Sequence, residues 1–315
     1  MSSWHYSDFW WRKIFVLLLF LACRQLTLNA QVTSTFNTND EGWTAPNSVG
    51  DAVNHTPTGG NPAGFIRATP SFNPGGIAAP FPIYFYFIAP SNYLGNFASY
   101  INGNIVFDLQ QATLSTAVVR PEVILSDGTN SIYFFPTTPF NPPATPAWAT
   151  YNVPLSAASG AWKTTGSDTG PAATQAQILS ILSNITVFAI RGRFNTILSP
   201  GATGLDNVVF QPPITITSQP NSQTVCEGQI VTLNVTATGN LSISYQWQQF
   251  NIATGGYNNV SNGGGYAGAT TNAFTINTTG NFGAGTYRCA VSGSNTPNVF
   301  SNTASVTINT LPTAP

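Results

Sequence analysis

Charged side chains are scarce in this sequence: Lys, Arg, Asp and Glu make up 6 % of its 315 residues, where a soluble domain ordinarily carries about 25 %. There is no run of like charge and no basic stripe, which excludes nucleic acid as a partner and leaves nothing to hold a charged membrane surface. Histidine is nearly missing too, with His55 the single one beyond position 30. A zinc site needs several His or Cys ligands. A Ser-His-Asp or Cys-His arrangement would have to run through His55, in Val53-Asn54-His55-Thr56-Pro57, where a turn residue is expected. Glycoside hydrolysis needs only two carboxylates, so Asp108, Glu122, Asp127 and Asp168 keep that single enzyme class formally open. A protein that is not an enzyme is the expectation.

Gly, Pro, Asn, Thr and Ser fill the space that charge leaves, a composition of short strands and many turns. The first thirty residues differ from the rest. Arg12 and Lys13 precede the apolar run Ile14 to Ala22, and Leu28-Asn29-Ala30 ends on a small residue, the layout of a secretory signal peptide at 1–30. The apolar run is short for a bilayer. An uncleaved anchor lengthened by Trp4, Phe9, Trp10 and Trp11 is the alternative, and a lipoprotein site at Cys23 is a weaker one because Arg24 follows. Cleavage before Gln31 leaves six basic and nine acidic residues, a net charge near −3, and two cysteines, Cys226 and Cys289. An even count in an exported chain favours a disulfide between them, with two free thiols as the alternative.

From Gln31 to about Pro212 the pattern is that of one β-rich unit. Strands are expected at Ile83 to Ile88, Asn104 to Leu109, Val118 to Leu125, Ser131 to Phe135, Ala149 to Leu155, Ile185 to Arg191 and Gly204 to Phe210. Asp127-Gly128 marks a hairpin turn, and Pro154 hints at a sheet edge. One helix is predicted: Thr174 with Gln177 forms a capping-box pattern, and Ile178, Leu179, Ile181 and Leu182 supply its apolar face. Asp206 and Asn207 interrupt the apolar closing strand with oxygen-bearing side chains that a strand core does not need.

The order of these pieces carries a resemblance. Phe36 with Gly42-Trp43, Ile105-Val106-Phe107-Asp108-Leu109, the strand from Trp148 to Leu155, Trp162, the Thr174 to Leu182 helix, Ile190-Arg191-Gly192-Arg193-Phe194 and Leu205-Asp206-Asn207-Val208 together resemble a laminin B domain, also called laminin domain IV type A, over roughly 36–210. The resemblance implies a jelly-roll β-sandwich of the kind shared with many carbohydrate-binding modules. In such modules the first and last strands lie side by side and often share a structural calcium. That implies one calcium held by Asp206 with Asp40 or Glu41, oxygen ligands of the hard type calcium takes. A turn role for Asp206 and Asn207 is the alternative. The chain departs from laminins in having no cysteine between Val32 and Val225, whereas the laminin domain sits among cysteine-rich modules.

Pro212-Pro213 reads as a hinge to a second unit at 213–310. Val231, Leu233 and Val235 alternate to one face, Ser244-Tyr245-Gln246-Trp247 follows, and Tyr287 stands two residues before Cys289. This is similar to an immunoglobulin-like domain of the kind repeated in secreted Bacteroidota proteins, with Tyr287 at the tyrosine corner. The fold expected is therefore all-β: a jelly-roll β-sandwich with one short helix, followed by an immunoglobulin-like β-sandwich. The function expected is a secreted or cell-surface adhesion protein. Its first unit contacts glycan or an extracellular matrix or cell-surface protein, and its second is a spacer. A purely structural fragment of a longer surface protein, or a non-catalytic part of a secreted carbohydrate-active enzyme, is the alternative. Residues 311–315 read as a linker, with further domains expected beyond Pro315.

Overall fold

The computed structural model describes residues 31–46, 48, 52–69, 85–112, 119–194, 201–239, 242–293 and 296–309. The expected signal peptide, Cys23, the start of the strand expected from Ile83 and the linker at 311–315 lie outside these residues.

The first half of the chain divides its strands between two sheets. In chain order they are β1 (Val32–Ser34), β2 (Asn54–Thr56), β3 (Phe65–Ala68), β4 (Tyr86–Ile88), β5 (Asn104–Gln111), β6 (Val123–Ser126), β7 (Ser131–Phe134), β8 (Ala149–Pro154), β9 (Trp162–Lys163), β10 (Val187–Arg191) and β11 (Thr203–Gln211). One sheet runs β2-β3-β11-β5-β8 with β1 also on β11, and the other runs β4-β10-β6-β7-β9. Period-two patterning explains which face goes in: Ile105, Phe107 and Leu109 of β5, Val123 and Leu125 of β6, and Phe188 and Ile190 of β10 are fully buried in one apolar core. Each such side chain contributes roughly 1.5–3 kcal/mol by leaving water. Trp43 packs edge-on to Tyr93 at 5.4 Å and to Phe188 at 5.8 Å, and Phe188 meets Phe210 at 5.1 Å. Residues from the two ends of this segment thus share one aromatic cluster. Pro154 does lie on an edge strand, as β8 ends its sheet.

Helix α1 (Gln175–Leu182) lies between β9 and β10 in the chain, and the capping box at Thr174 and Gln177 is formed in both directions. It packs on β6 and β7 and on the turn at residues 98–100. Ile178, Ile181 and Leu182 are buried, whereas Leu179, expected on the same face, is 40 % exposed. His55 is a strand residue in β2 rather than a turn residue, with Nε2 2.8 Å from the Phe36 carbonyl oxygen.

The second half carries β12 (Thr215–Ser218), β13 (Gln223–Cys226), β14 (Ile230–Asn234), β15 (Thr236–Thr238), β16 (Ser244–Asn251), β17 (Gly256–Asn259), β18 (Tyr266–Ala267), β19 (Ala273–Asn277), β20 (Gly285–Gly293), β21 (Thr296–Phe300) and β22 (Ala304–Asn309). One sheet runs β13-β22-β20-β16-β17 with β21 also on β20; β14-β19-β18 and β12-β15 form the others. Trp247 is fully buried and stacks on Phe274 with ring centroids 5.4 Å apart. The Tyr287 hydroxyl donates to the Gly283 carbonyl at 2.8 Å, which is the expected tyrosine corner of an immunoglobulin-like sandwich. This half has its own apolar core, drawn from residues 214–306.

The expected disulfide between Cys226 and Cys289 is corrected here, because both cysteines are free. Cys226 ends β13 opposite Asn309, while Cys289 lies opposite Trp247 on β20. Since Tyr287 pairs with Ala304, the two cysteines stand about seven residues apart along β22. At about 3.3 Å per strand residue that is over 20 Å, far beyond the roughly 7 Å that a disulfide tolerates between Cα atoms. Burial pushes the Cys289 thiol up to about 12, and Cys226 is exposed.

Candidate functional site

Strand β11 is where the predicted site residues converge. Its first part pairs with β3 and its last part with β1, so the opening strand lies against the closing strand with Val32 opposite Phe210. The changeover falls at Asp206 and Asn207. On the other edge, Asp206 faces Asp108 of β5 and Val209 faces Val106, so β11 holds one residue more than its partner there. The extra residue makes a bulge at Asn207, whose φ of 50° lies in the left-handed region. Asn is among the few side chains that adopt it readily. Because of the bulge, Leu205, Val208 and Phe210 are all fully buried, where strict alternation would have turned Val208 outward.

Asp206 and Asp108 are thereby placed directly across from each other at 1 % and 4 % exposure. Like charges so placed repel, and hydrogen-bond donors answer the repulsion. Asp206 Oδ2 accepts from the Asn61 backbone N–H at 2.7 Å and Oδ1 from the Asn207 backbone N–H at 2.7 Å. Asp108 accepts from Asn61 Nδ2 at 3.1 Å, Asn207 Nδ2 at 2.8 Å and the Thr150 hydroxyl at 2.6 Å. Asn207 Nδ2 also reaches the Asn61 carbonyl. The loop bearing Asn61 is held in turn by Trp148, which donates to the Gly59 carbonyl at 3.1 Å and packs edge-on to Phe65. Burial raises the Asp206 carboxyl to about 6; the two N–H groups oppose the rise, and Asp108 and Glu41 add to it.

The opening turn spends its carboxylates locally. Glu41 Oε1 accepts from the backbone N–H groups of Thr35 at 3.1 Å and Phe36 at 2.8 Å, fixing Phe36 at a φ of 50° that is rare for so bulky a residue. Asp40 caps the Gly42 N–H at 3.0 Å. Of the three expected calcium ligands, Glu41 comes within electrostatic reach of Asp206, and Asp40 is committed to its own turn. Calcium takes six to eight oxygens. Each of these carboxylates already accepts at least one N–H group, and among the described residues no group of three or more His, Cys, Asp or Glu is arranged to hold a metal ion.

The other carboxylates have separate duties. Glu122 forms a buried ion pair with Arg191 at 3.1 Å, and burial pushes its carboxyl up to about 7. Asp127 caps Thr129 and Asn130 in the hairpin turn, and Asp168 caps Thr169 at 3.0 Å. Asn61 and Thr150, which complete the corner, carried no signal in the sequence, since a loop Asn and a strand Thr are ordinary. Asp108 did carry one: a carboxylate inside an apolar strand.

The corner, the strand order and the helix all fall within or beside one matched segment. Residues 86–222 match the family model Laminin B (Domain IV). The matched segment runs from β4 through β11 to just before β13. Among solved structures, the L4b domain of human laminin alpha-2 is similar at 13 % identity, covering 57 % of this chain and 97 % of that one, with a TM-score of 0.41. Duf (Kirre) D1 is similar at 16 % identity over 31 % of this chain and 99 % of that one, with a TM-score of 0.26. A titin–obscurin-like 1 Ig complex is similar at 18 % identity over 33 % of this chain and 99 % of that one, with a TM-score of 0.27. The comparison with curated proteins gives no match. No helix among the described residues is long and apolar enough to cross a membrane.

Proposed function

We propose that this protein is an extracellular, non-enzymatic adhesion module whose first sandwich contacts a glycan and whose second sandwich is a spacer. The observation that supports this most is the Laminin B match at 86–222, which lies almost wholly on the first sandwich and belongs to a family that suggests an extracellular adhesion-type module. The carboxylates that glycoside hydrolysis would need are engaged instead in caps, an ion pair and the Asp206–Asp108 corner. The proposal includes export by the 1–30 signal peptide and a division into 31–212 and 213–310. A glycan array probed with the full chain tests it. Saturable retention on a defined set of glycans is expected. Retention on immobilised matrix or cell-surface protein alone would replace glycan by protein as the ligand, and no retention on either would leave a purely structural part.

Calcium at the opening and closing strands is a proposal with its own test. An ion held by Asp206 and Glu41 would share those carboxylates with the N–H groups of Asn61, Asn207, Thr35 and Phe36. Melting the protein in saturating calcium and in chelator decides it, since a ligand at a hundred times its dissociation constant adds about 2.7 kcal/mol. A higher melting temperature in calcium is the result the proposal expects, and equal melting temperatures remove calcium from this corner.

A further inference from the structure

We infer that the cleft between helix α1 and the free edge of β7 is a subsite for one neutral sugar unit, an inference that rests on the adhesion-module reading and names where and what it would bind. The cleft exists because β9 is short. It pairs with β7 only at Tyr133 and Phe134, so among the described residues the Ser131 end of β7 has no neighbouring strand on that side. Alternation along β7 shows which way the backbone points there. Phe134 accepts on the β6 side, from the Glu122 N–H, and Phe135 donates on the β9 side, to Ala161. Two steps back from Tyr133, the N–H and C=O of Ser131 therefore face the open edge. Helix α1 closes the far wall and leaves a cleft of about 420 Å³, within the range of roughly 300–1,000 Å³ typical of small-ligand sites.

Its lining selects the ligand. Buried Ile132 and Ile181 make an apolar floor, and around them stand the hydroxyls of Ser131, Thr164 and Ser180, the Gln177 carboxamide and the ring of Tyr133. Among the described residues no charged side chain lines the cleft, which gives nothing to attract a phosphate or carboxylate. Among the described residues the hydroxyls of Ser131, Tyr133 and Ser180 are bonded to no other group, whereas Gln177 is anchored through Oε1 to the Thr174 N–H at 2.8 Å and keeps Nε2 to donate. Donors and acceptors on a rigid frame beside an aromatic face match the alternating hydroxyls and C–H face of a pyranose. The frame is stiff because the helix is capped at Thr174 and the hairpin turn is fixed by Asp127.

The test uses the full chain with the methyl glycosides of glucose, galactose, mannose and N-acetylglucosamine, with N-acetylneuraminic acid as the charged control, read by saturation-transfer NMR. At least one neutral glycoside should bind saturably and the acid should not. Ser180→Trp, on the exposed helix face, should fill the cleft and weaken that binding about tenfold or more, and Tyr133→Ala should weaken it with the helix untouched. Binding that persists unchanged in both variants, binding of the charged sugar alone, or no binding of any neutral glycoside overturns the subsite. If the chain still adheres to glycans or proteins while these variants behave as the parent, the cleft fails and the adhesion reading stands. Loss of all adhesion in the parent chain fails both.

Discussion

Asp206 carries a proton more readily in the folded chain than out of it, and that has a sign. Its carboxyl rises from 3.8 to about 6 on folding, so between these values the folded state holds a proton that the unfolded chain has released. Stability from this group is greatest below about 4 and is lost as pH rises through about 6. Glu122, raised from 4.5 to about 7, acts in the same direction. The urea midpoint at pH 5 is therefore expected to exceed that at pH 7.5. Asp206→Asn should flatten the difference by up to about 1.4 kcal/mol, the worth of the one pKa unit that separates pH 5 from the raised value of about 6. It should also lower the midpoint at pH 5, because an amide cannot accept from both Asn61 and Asn207. A parent-like pH slope in the variant would place the effect elsewhere. The sequence made Asp206 visible, as an oxygen ligand inside an apolar strand. It did not show that the partner would be Asp108, because facing residues follow from register, and register here depends on a bulge.

That bulge is the element on which β11 turns. Asn207 holds a left-handed φ and donates from its side chain to Asp108. Asn207→Val should destabilise the first sandwich by roughly 2 kcal/mol or more, since a β-branched residue is strained there and the amide is lost. Asn207→Gly, which accepts the φ but lacks the amide, should lose less, about 1 kcal/mol. Equal losses in urea melts would mean that backbone conformation is not what the position demands. Elements with local signals were legible: the helix from Thr174 and Gln177, the hairpin from Asp127-Gly128, the edge strand from Pro154. The bulge was not, because alternation alone puts Leu205, Asn207 and Val209 on one face. Nor was the exposure of Leu179, which depends on where β6 and β7 meet the helix.

Among the described residues, the buried apolar side chains form two clusters, 36–210 and 214–306, and two calorimetric transitions are the expected result. Trp43→Ala, in the first cluster, should lower one transition by the equivalent of about 3–5 kcal/mol and leave the other in place; one transition that moves as a whole would refute independent cores. The two-sandwich plan was legible because each half repeats its own pattern of alternating strands. The cysteine pairing was misread because an even count says nothing of distance, and a parallel strand carries Cys226 away from Cys289. The same strand pairings decide how the chain responds to tension. Val32 and Phe210 are partners on antiparallel strands, so pulling on the two ends of the first sandwich peels β1 from β11 one bond at a time. In the second sandwich, β13 and β22 run parallel from Gln223 beside Val306 to Cys226 beside Asn309, so the same pull slides them past each other and loads all their bonds together. In single-molecule stretching the first sandwich should open at the lower force, and the second should stay closed as a mechanical clamp; opening in the reverse order would contradict this geometry.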